Sequence, residues 1–513
     1  MEKLAVKIFA QLARQFPVCM ASDEFHFFPQ GRTDTNDWST WDDFSDESIQ
    51  EACGQIDFWL AAISKQSENT ANFETIADSF MLQKMLSTLR EQFALVAPQK
   101  YQPTFYLTIL ALGLAEAIED GGSALRHRLQ TLPGFISQAC RNLIEVPRIF
   151  LDTGIKMLEQ VITWLQQIPV ETDQLAPVLK ALNGLSVHLN EIPVSSDFLP
   201  GPDLYAHIAT NHMGCDMPIQ AIAEELDREV EETRHQLKEW AAQSAPGKSW
   251  QTAIASLPKP ALPAGGVQGL YHKAIYDLGA HCAEKGFLHK TDLGECPVTV
   301  SPVPDYMRPV RNSAAYSMPP HHPPSGGTFF IAPERNINEI PADYQLLSAH
   351  ETYPGHHLLD MNRWRHPRRV RRHIEFPLFY EGWACFAEEL MFETGFFSTS
   401  AERALLAQRC FWRAVRGRVD IDLHTRQKSP DEAADFLCGF GMDRPAAAAM
   451  VGRYLLKPGY QLAYGIGRRR FRRFFDQFSG QASKPADFVK RVLSAGQIGF
   501  HHLAKILQTE GVL

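Results

Sequence analysis

The segment HETYPGHHLLD, His350 to Asp360, constrains this chain more than any other stretch. It gathers two or three imidazoles and a carboxylate within a dozen residues, with a proline–glycine pair between them. A second carboxylate follows in FYEGWACFAEE, Phe379 to Glu389, a separate segment of helical texture. Zinc hydrolases hold their ion with neutral imidazoles and one carboxylate oxygen. They leave one position open for water and keep a free Glu to take that water's proton. The usual signature, H-E-x-x-H, sets both imidazoles one helical turn apart on one face. Here Pro354 occupies the place of the second His, so the signature is stretched.

Helix geometry says how the stretch is accommodated. In an unbroken helix His350 and His357 share a face but stand about 10.5 Å apart along the axis. That is awkward for two bonds of about 2.0–2.1 Å to one ion. Pro354 has no N–H to give the carbonyl of His350, so the helix is expected to bulge or kink there. Two extra residues taken up in that distortion bring His356 to the second ligand's position. The expected ligands are His350, His356 and Glu381, with His357 as the alternate second ligand or a neighbour touching substrate. Glu351 falls beside the ion as general base. Glu388, two turns beyond Glu381 on the same face, and Asp360 are placed to orient a ligand imidazole from behind.

At 513 residues the chain can bury a large core, and its net charge of −9 gives no electrostatic case for a nucleic-acid partner. Nine scattered cysteines form no C-x-x-C pair, which favours free thiols in a reducing compartment. The N-terminal MEKLAVKIFAQLARQF reads as an amphipathic helix without the apolar run of a signal peptide. The longest uncharged run, Tyr101 to Ala115, is shorter than the roughly 20 residues a membrane span needs. A cytoplasmic location with no membrane partner is therefore expected.

The pattern predicts a mainly α protein. Residues 1–255 read as a helical region forming cleft walls, and 256–513 as a catalytic region carrying the metal site, the two expected to form one compact unit. A surface helix is expected from Pro218 to Ala242. A small sheet is expected just upstream of the His motif, from runs near Val298–Val300 and Phe329–Ile331. His321 and His322 read as surface residues. The run RWRHPRRVRRH reads first as a solvated face and second as an anion-selecting rim. GRRRFRRFF reads as a solvated face.

The segments HETYPGHHLL, YEGWACFAEEL, FWRAVRGRVDIDLHT and RYLLKPGYQLAYGIG, in that order, resemble the bacterial family called domain of unknown function 885. That family is regarded as zinc peptidases of the gluzincin type with a largely helical fold. E-G-W-A also resembles the N-E-G-F-A segment of zinc aminopeptidases, whose Glu is a zinc ligand. The likeness is strong over roughly 300–475 and extends upstream only as helical character. It implies His350, Glu351, His356 and Glu381 as the metal and base group. It also implies that Arg416, His424 and Tyr464 line the same cavity, with Tyr464, then Tyr460, as first choices for holding an oxyanion. Leu359 and Tyr460 stand where relatives usually carry Gln, which bears on substrate rather than on the ion.

The expectation is a hydrolase with one Zn2+ that cuts small peptides or peptide-like amides, anionic ones if the rim reading holds. Two alternatives use the same residues: a non-haem oxygenase holding Fe2+, and a binding protein without catalysis. The oligomeric state is left open.

Overall fold

The computed structural model describes residues 1–31, 39–68, 71–120, 123–168, 170–195, 199–304, 314–331, 340–479 and 484–509. It is mainly helical, as the pattern predicts. By contacts the chain forms two compact units, Met1–Pro200 with Val303–Asn312, and Gly201–Pro302 with Ser313–Leu513.

The first unit is built from helices such as Glu2–Gln15, Asp46–Ser67, Phe73–Glu91 and Pro103–Asp120. Its core holds a cluster in which Phe16 meets Phe28, Phe44 and Phe93 with ring centroids 5.1–5.3 Å apart. Val146–Pro147 and Val194–Ser195 add a two-residue parallel ladder. The uncharged run from Tyr101 lies in the buried helix Pro103–Asp120. No helix among the described residues is long and apolar enough to cross a membrane.

The second unit carries every candidate site residue. Its principal elements are α1 (Ile219–Ser244), β1 (Val298–Pro302), β2 (Ala315–Ser317), β3 (Gly327–Ile331), α2 (Tyr344–Glu351) and α3 (His356–Arg365). They continue with α4 (Pro377–Glu393), α5 (Ser400–His424) and α6 (Leu462–Ser479). β3 is central, parallel to β1 (Val298 opposite Gly327) and antiparallel to β2 (Tyr316 opposite Phe329). The sequence marks β1 and β3. β2 is too short to show a two-residue period.

Three expectations about charge are corrected here. α1 is not a plain surface helix, because its Glu225 and Glu229 are buried against α6. Arg468 and Arg469 pair with Glu229, and Arg469 and Arg473 with Glu225 at 3.1 and 2.7 Å. The GRRRFRRFF run is thus an interhelical ion network rather than a solvated face. Nor is RWRHPRRVRRH a solvated face or a free anion-selecting rim, since Arg363, Arg371 and Arg372 are buried. Arg363 holds Glu375 at 2.8 Å, Arg365 holds Asp292 at 2.6 Å, and Arg371 and Arg372 donate to the carbonyls of Ala495 and His366.

α4 is helical from its first residue because Pro377 sits where its missing N–H costs nothing. It is buried along nearly its whole length. It meets α6 through a glycine pair. A Cβ on Gly382 would lie 2.5 Å from the backbone of Gly467, and one on Gly467 would collide with the carbonyl of Leu378. Only backbone against backbone fits, and this close approach sets α6 against the N-terminal half of α4.

Candidate metal centre

α2 ends at Glu351, and α3 begins at His356. The predicted distortion at Pro354 is therefore a full break rather than a kink. The chain folds back on itself: Gly355 N–H donates to the carbonyl of Ala349 at 3.0 Å, and Leu358 N–H to that of Thr352 at 3.3 Å. A Cβ on Gly355 would lie 2.5 Å from the Ala349 oxygen and collide with the His350 carbonyl. The turn is pinned from α4, where the buried indole of Trp383 donates to the carbonyl of Pro354 at 2.9 Å. The three residues of E-G-W thus act separately. Glu381 faces the imidazoles, Gly382 admits α6, and Trp383 holds the turn.

The break brings the two imidazoles together with ring centroids 4.8 Å apart and planes at 84°. Glu381 Oε2 lies 3.4 Å from His350 Nε2 and 3.6 Å from His356 Nε2. One ligand atom from each residue falls within 4.8 Å of the others, and all three side chains are buried. Tetrahedral zinc with bonds of about 2.0–2.2 Å has ligand–ligand edges of about 3.3–3.6 Å, so two of the three edges already match. Glu381 Oε2 is moreover buried with no hydrogen-bond partner. A carboxylate oxygen facing two imidazole nitrogens needs a positive charge among them, a proton or a metal ion. Burial pushes the Glu381 carboxyl up, but the His350 and His356 imidazoles beside it outweigh that and hold it well below the ordinary range. Burial pushes the His350 imidazole down, and bonds to Cys385, Glu381 and Glu388 lift it well above its usual value. The donor set and its spacing fit a divalent ion.

Each group is held from behind. His350 Nδ1 lies 2.9 Å from Glu388 Oε1, which fixes the proton on Nδ1 and turns the Nε2 lone pair toward Glu381. Glu388, fully buried, is forked by Arg413 at 2.5 and 2.9 Å and by Arg409 at 2.9 and 3.0 Å. Burial alone would raise its carboxyl, and the two guanidiniums hold it well below the ordinary range. His356 is stacked on Tyr380, centroids 4.1 Å apart and planes at 22°, and Tyr380 donates to Asp360 at 2.9 Å. Glu381 Oε1 accepts from Tyr460 at 2.9 Å, and the buried Tyr464 phenol is raised well above its usual range by burial and by the charge of this carboxylate. Glu351, half-buried, has its carboxyl raised by burial and drawn down by the His350 and His356 charges.

His357 stands apart from this group. Its Nε2 donates to the carbonyl of Cys296 at 2.9 Å and its Nδ1 accepts from Tyr316 at 2.8 Å. Both nitrogens are occupied in tying α3 to β2 and to the segment before β1. Burial takes the ring down to about 4. His321 and His322 are exposed, as expected.

The family model described as a bacterial protein of unknown function (DUF885) matches residues 29–507. The chain belongs to that family. The match takes in most of the first unit, where sequence reading found only helical character. Two solved structures share the fold of this DUF885 member. One, from Shewanella oneidensis, is described as "a putative lipoprotein of unknown function". It has a TM-score of 0.76 at 14% identity and covers 98% of this chain and 99% of its own. The other, "the putative lipoprotein" from Colwellia psychrerythraea, has a TM-score of 0.74 at 17% identity over 99% and 98%. No curated protein matches by sequence.

The residues implied by likeness to DUF885 fall at different depths. Tyr464 stands at Glu381. Arg416 lies over the Tyr464 ring, its guanidinium carbon 3.8 Å from the centroid. His424 sits behind them, its Nε2 donating to the Tyr454 carbonyl at 3.2 Å and its ring stacked on Tyr205, with no contact to the triad among the described residues. Sequence reading missed Arg409, Arg413, Tyr380 and Asp420. A signal was present: Arg409, Arg413, Arg416, Asp420 and His424 follow one another by three or four residues. That is one polar stripe on a helix whose remaining inward positions are apolar apart from Asp422.

Proposed function

We propose that this DUF885 member is a metal-dependent hydrolase of peptide or peptide-like amide bonds, gluzincin-like in its use of residues. The observation that carries the proposal is the convergence of His350, His356 and Glu381, with Glu351 next in the chain to a ligand. His350, His356 and Glu381 would hold the ion, zinc by the nature of the donor set. Bound zinc supplies Lewis acidity toward a carbonyl oxygen and acidifies a water. Glu351 takes the proton from that water and passes it to the departing amine. Burial raises its carboxyl, which suits a base that must also give the proton back. Tyr464 donates to the developing oxyanion, and Tyr460 holds Glu381 in place. The free base beside His350 favours hydrolysis over oxygenase chemistry, which has no use for it.

The test is metal analysis together with turnover of a randomised tripeptide pool followed by mass spectrometry. One zinc per chain, loss of turnover by about 10²–10⁴-fold in Glu351→Gln, and zinc retained in that variant are the expected results. Stoichiometric iron, or a Glu351→Gln variant that cleaves as the parent does, refutes it. For the compartment we propose the cytoplasm, since all nine cysteines are free. The neighbours' description as lipoproteins points to the envelope, and fractionation of cells separates the two.

A further inference from the structure

Arg409, Arg413 and Arg416 lie on one stripe of α5, but they are not treated alike. The first two pair with carboxylates, Arg413 with Glu388 and Arg409 with Glu388 and Asp343. Among the described residues Arg416 has no carboxylate partner, and its buried Nε has no hydrogen-bond acceptor. Its guanidinium rests on the face of Tyr464. The buried hydroxyl of Tyr454 is likewise without a partner. Burial raises that phenol to about 12, and the Arg416 charge pulls it the other way, which places the two groups in each other's field. Lys457, exposed and without an ion pair among the described residues, lies over the ring of Tyr460 at 5.6 Å. Among the described residues two cations lacking counter-charges thus sit on Tyr460, which bonds Glu381, and on Tyr464, which feels its charge.

An unpaired guanidinium is costly to keep half-buried unless an anion arrives. The donors present, a guanidinium edge and a phenol, suit a carboxylate, which takes forked hydrogen bonds from arginine. Arg416 is separated from Glu381 by the Tyr464 ring, on which its guanidinium rests and which lies in the field of that carboxylate. At about 3.3–3.6 Å per extended residue, that span is one or two residues of peptide. Resting on the hydrolase reading above, we infer that Arg416, with Tyr454, binds the free C-terminal carboxylate of a peptide substrate. The protein then removes one or two residues from the C-terminal end. Lys457 adds long-range attraction for the same group.

The probe is a randomised tripeptide pool with free carboxyl termini, set against the same pool amidated, in equilibrium dialysis with the full chain. The parent should retain the acid pool at least tenfold over the amide pool. Arg416→Met should abolish that preference, Arg416→Lys should restore part of it, and zinc content and thermal midpoint should stay at the parental values. In turnover, Arg416→Met should raise KM for acids at least tenfold more than KM for amides. Equal retention of acids and amides by the parent, no retention of acids, or an unaltered preference in Arg416→Met overturns the assignment. Acid-selective retention without any cleavage would instead sink the hydrolase reading and leave this site standing.

Discussion

His350 Nδ1 lies 2.9 Å from Glu388 Oε1, on the side of the ring opposite the nitrogen that faces Glu381. Glu388 therefore sets the tautomer of the first ligand, and it does so while carrying two arginines. Glu388→Gln keeps the shape and removes the charge that Arg409 and Arg413 need. It should cost about 3–5 kcal/mol in urea unfolding and weaken zinc by about 10–100-fold in chelator competition. Parental zinc affinity in the variant would show that the carboxylate serves only the arginines.

His356 and His357 are adjacent in sequence and opposite in role. His356→Ala should abolish stoichiometric zinc. His357→Phe should leave zinc at one per chain yet destabilise the fold by about 1–3 kcal/mol for each group stripped of its partner, the Cys296 carbonyl and the Tyr316 hydroxyl. Metal analysis and thermal unfolding of both variants check this, and loss of zinc in the His357 variant with the fold intact would reverse the ligand assignment.

Gly355 lets the turn close on the carbonyls of Ala349 and His350. Gly355→Ala should push the ligand-bearing ends of α2 and α3 apart, at about 3 kcal/mol or more, with zinc affinity falling in parallel. A variant with parental stability and parental zinc affinity would mean the turn has room that its geometry denies.

Asp420 gives a pH signature away from the His350, His356 and Glu381 group. Burial raises its carboxyl from 3.8 to about 8, against hydrogen bonds from Tyr205 at 2.7 Å and the Gly459 N–H at 2.8 Å. A raised acid keeps its proton in the folded state after the unfolded chain has lost it. Stability from this group is therefore full below about 4 and declines as pH climbs toward about 8. Tyr205 and the Gly459 N–H reach the same oxygen, so Asp420→Asn can accept both and does not titrate. The parent should lose stability relative to Asp420→Asn steadily across that window. A constant difference between the two unfolding curves would show that Asp420 is ionised throughout.

Much of the centre was legible before any coordinates. H-E, P-G-H and E-G-W-A name donors whose chemistry is local to the residue, and the missing N–H of Pro354 forces a break wherever it falls in a helix. The choice of His356 followed from that break, as did the two longer strands from their composition. The rest was invisible for a physical reason. Whether an arginine is solvated or buried against a carboxylate depends on which helix lies opposite, and RWRHPRRVRRH and GRRRFRRFF look alike in isolation. His357 carries the same imidazole as His356. Only the positions of Cys296 and Tyr316 occupy both of its nitrogens.

By itself the sequence determined the helical character, the donor set and the interruption between the two imidazoles, because these are properties of side chains and of one imino acid. Tertiary structure alone decided that Glu381 faces both imidazoles, that Glu388 is shared among His350, Arg409 and Arg413, and that Arg416 has no counter-charge among the described residues. Those outcomes depend on the crossing of α4 with α6 and on the packing of α5 beside them. Distances between residues far apart in sequence are set by the whole packed core and by no single segment of it.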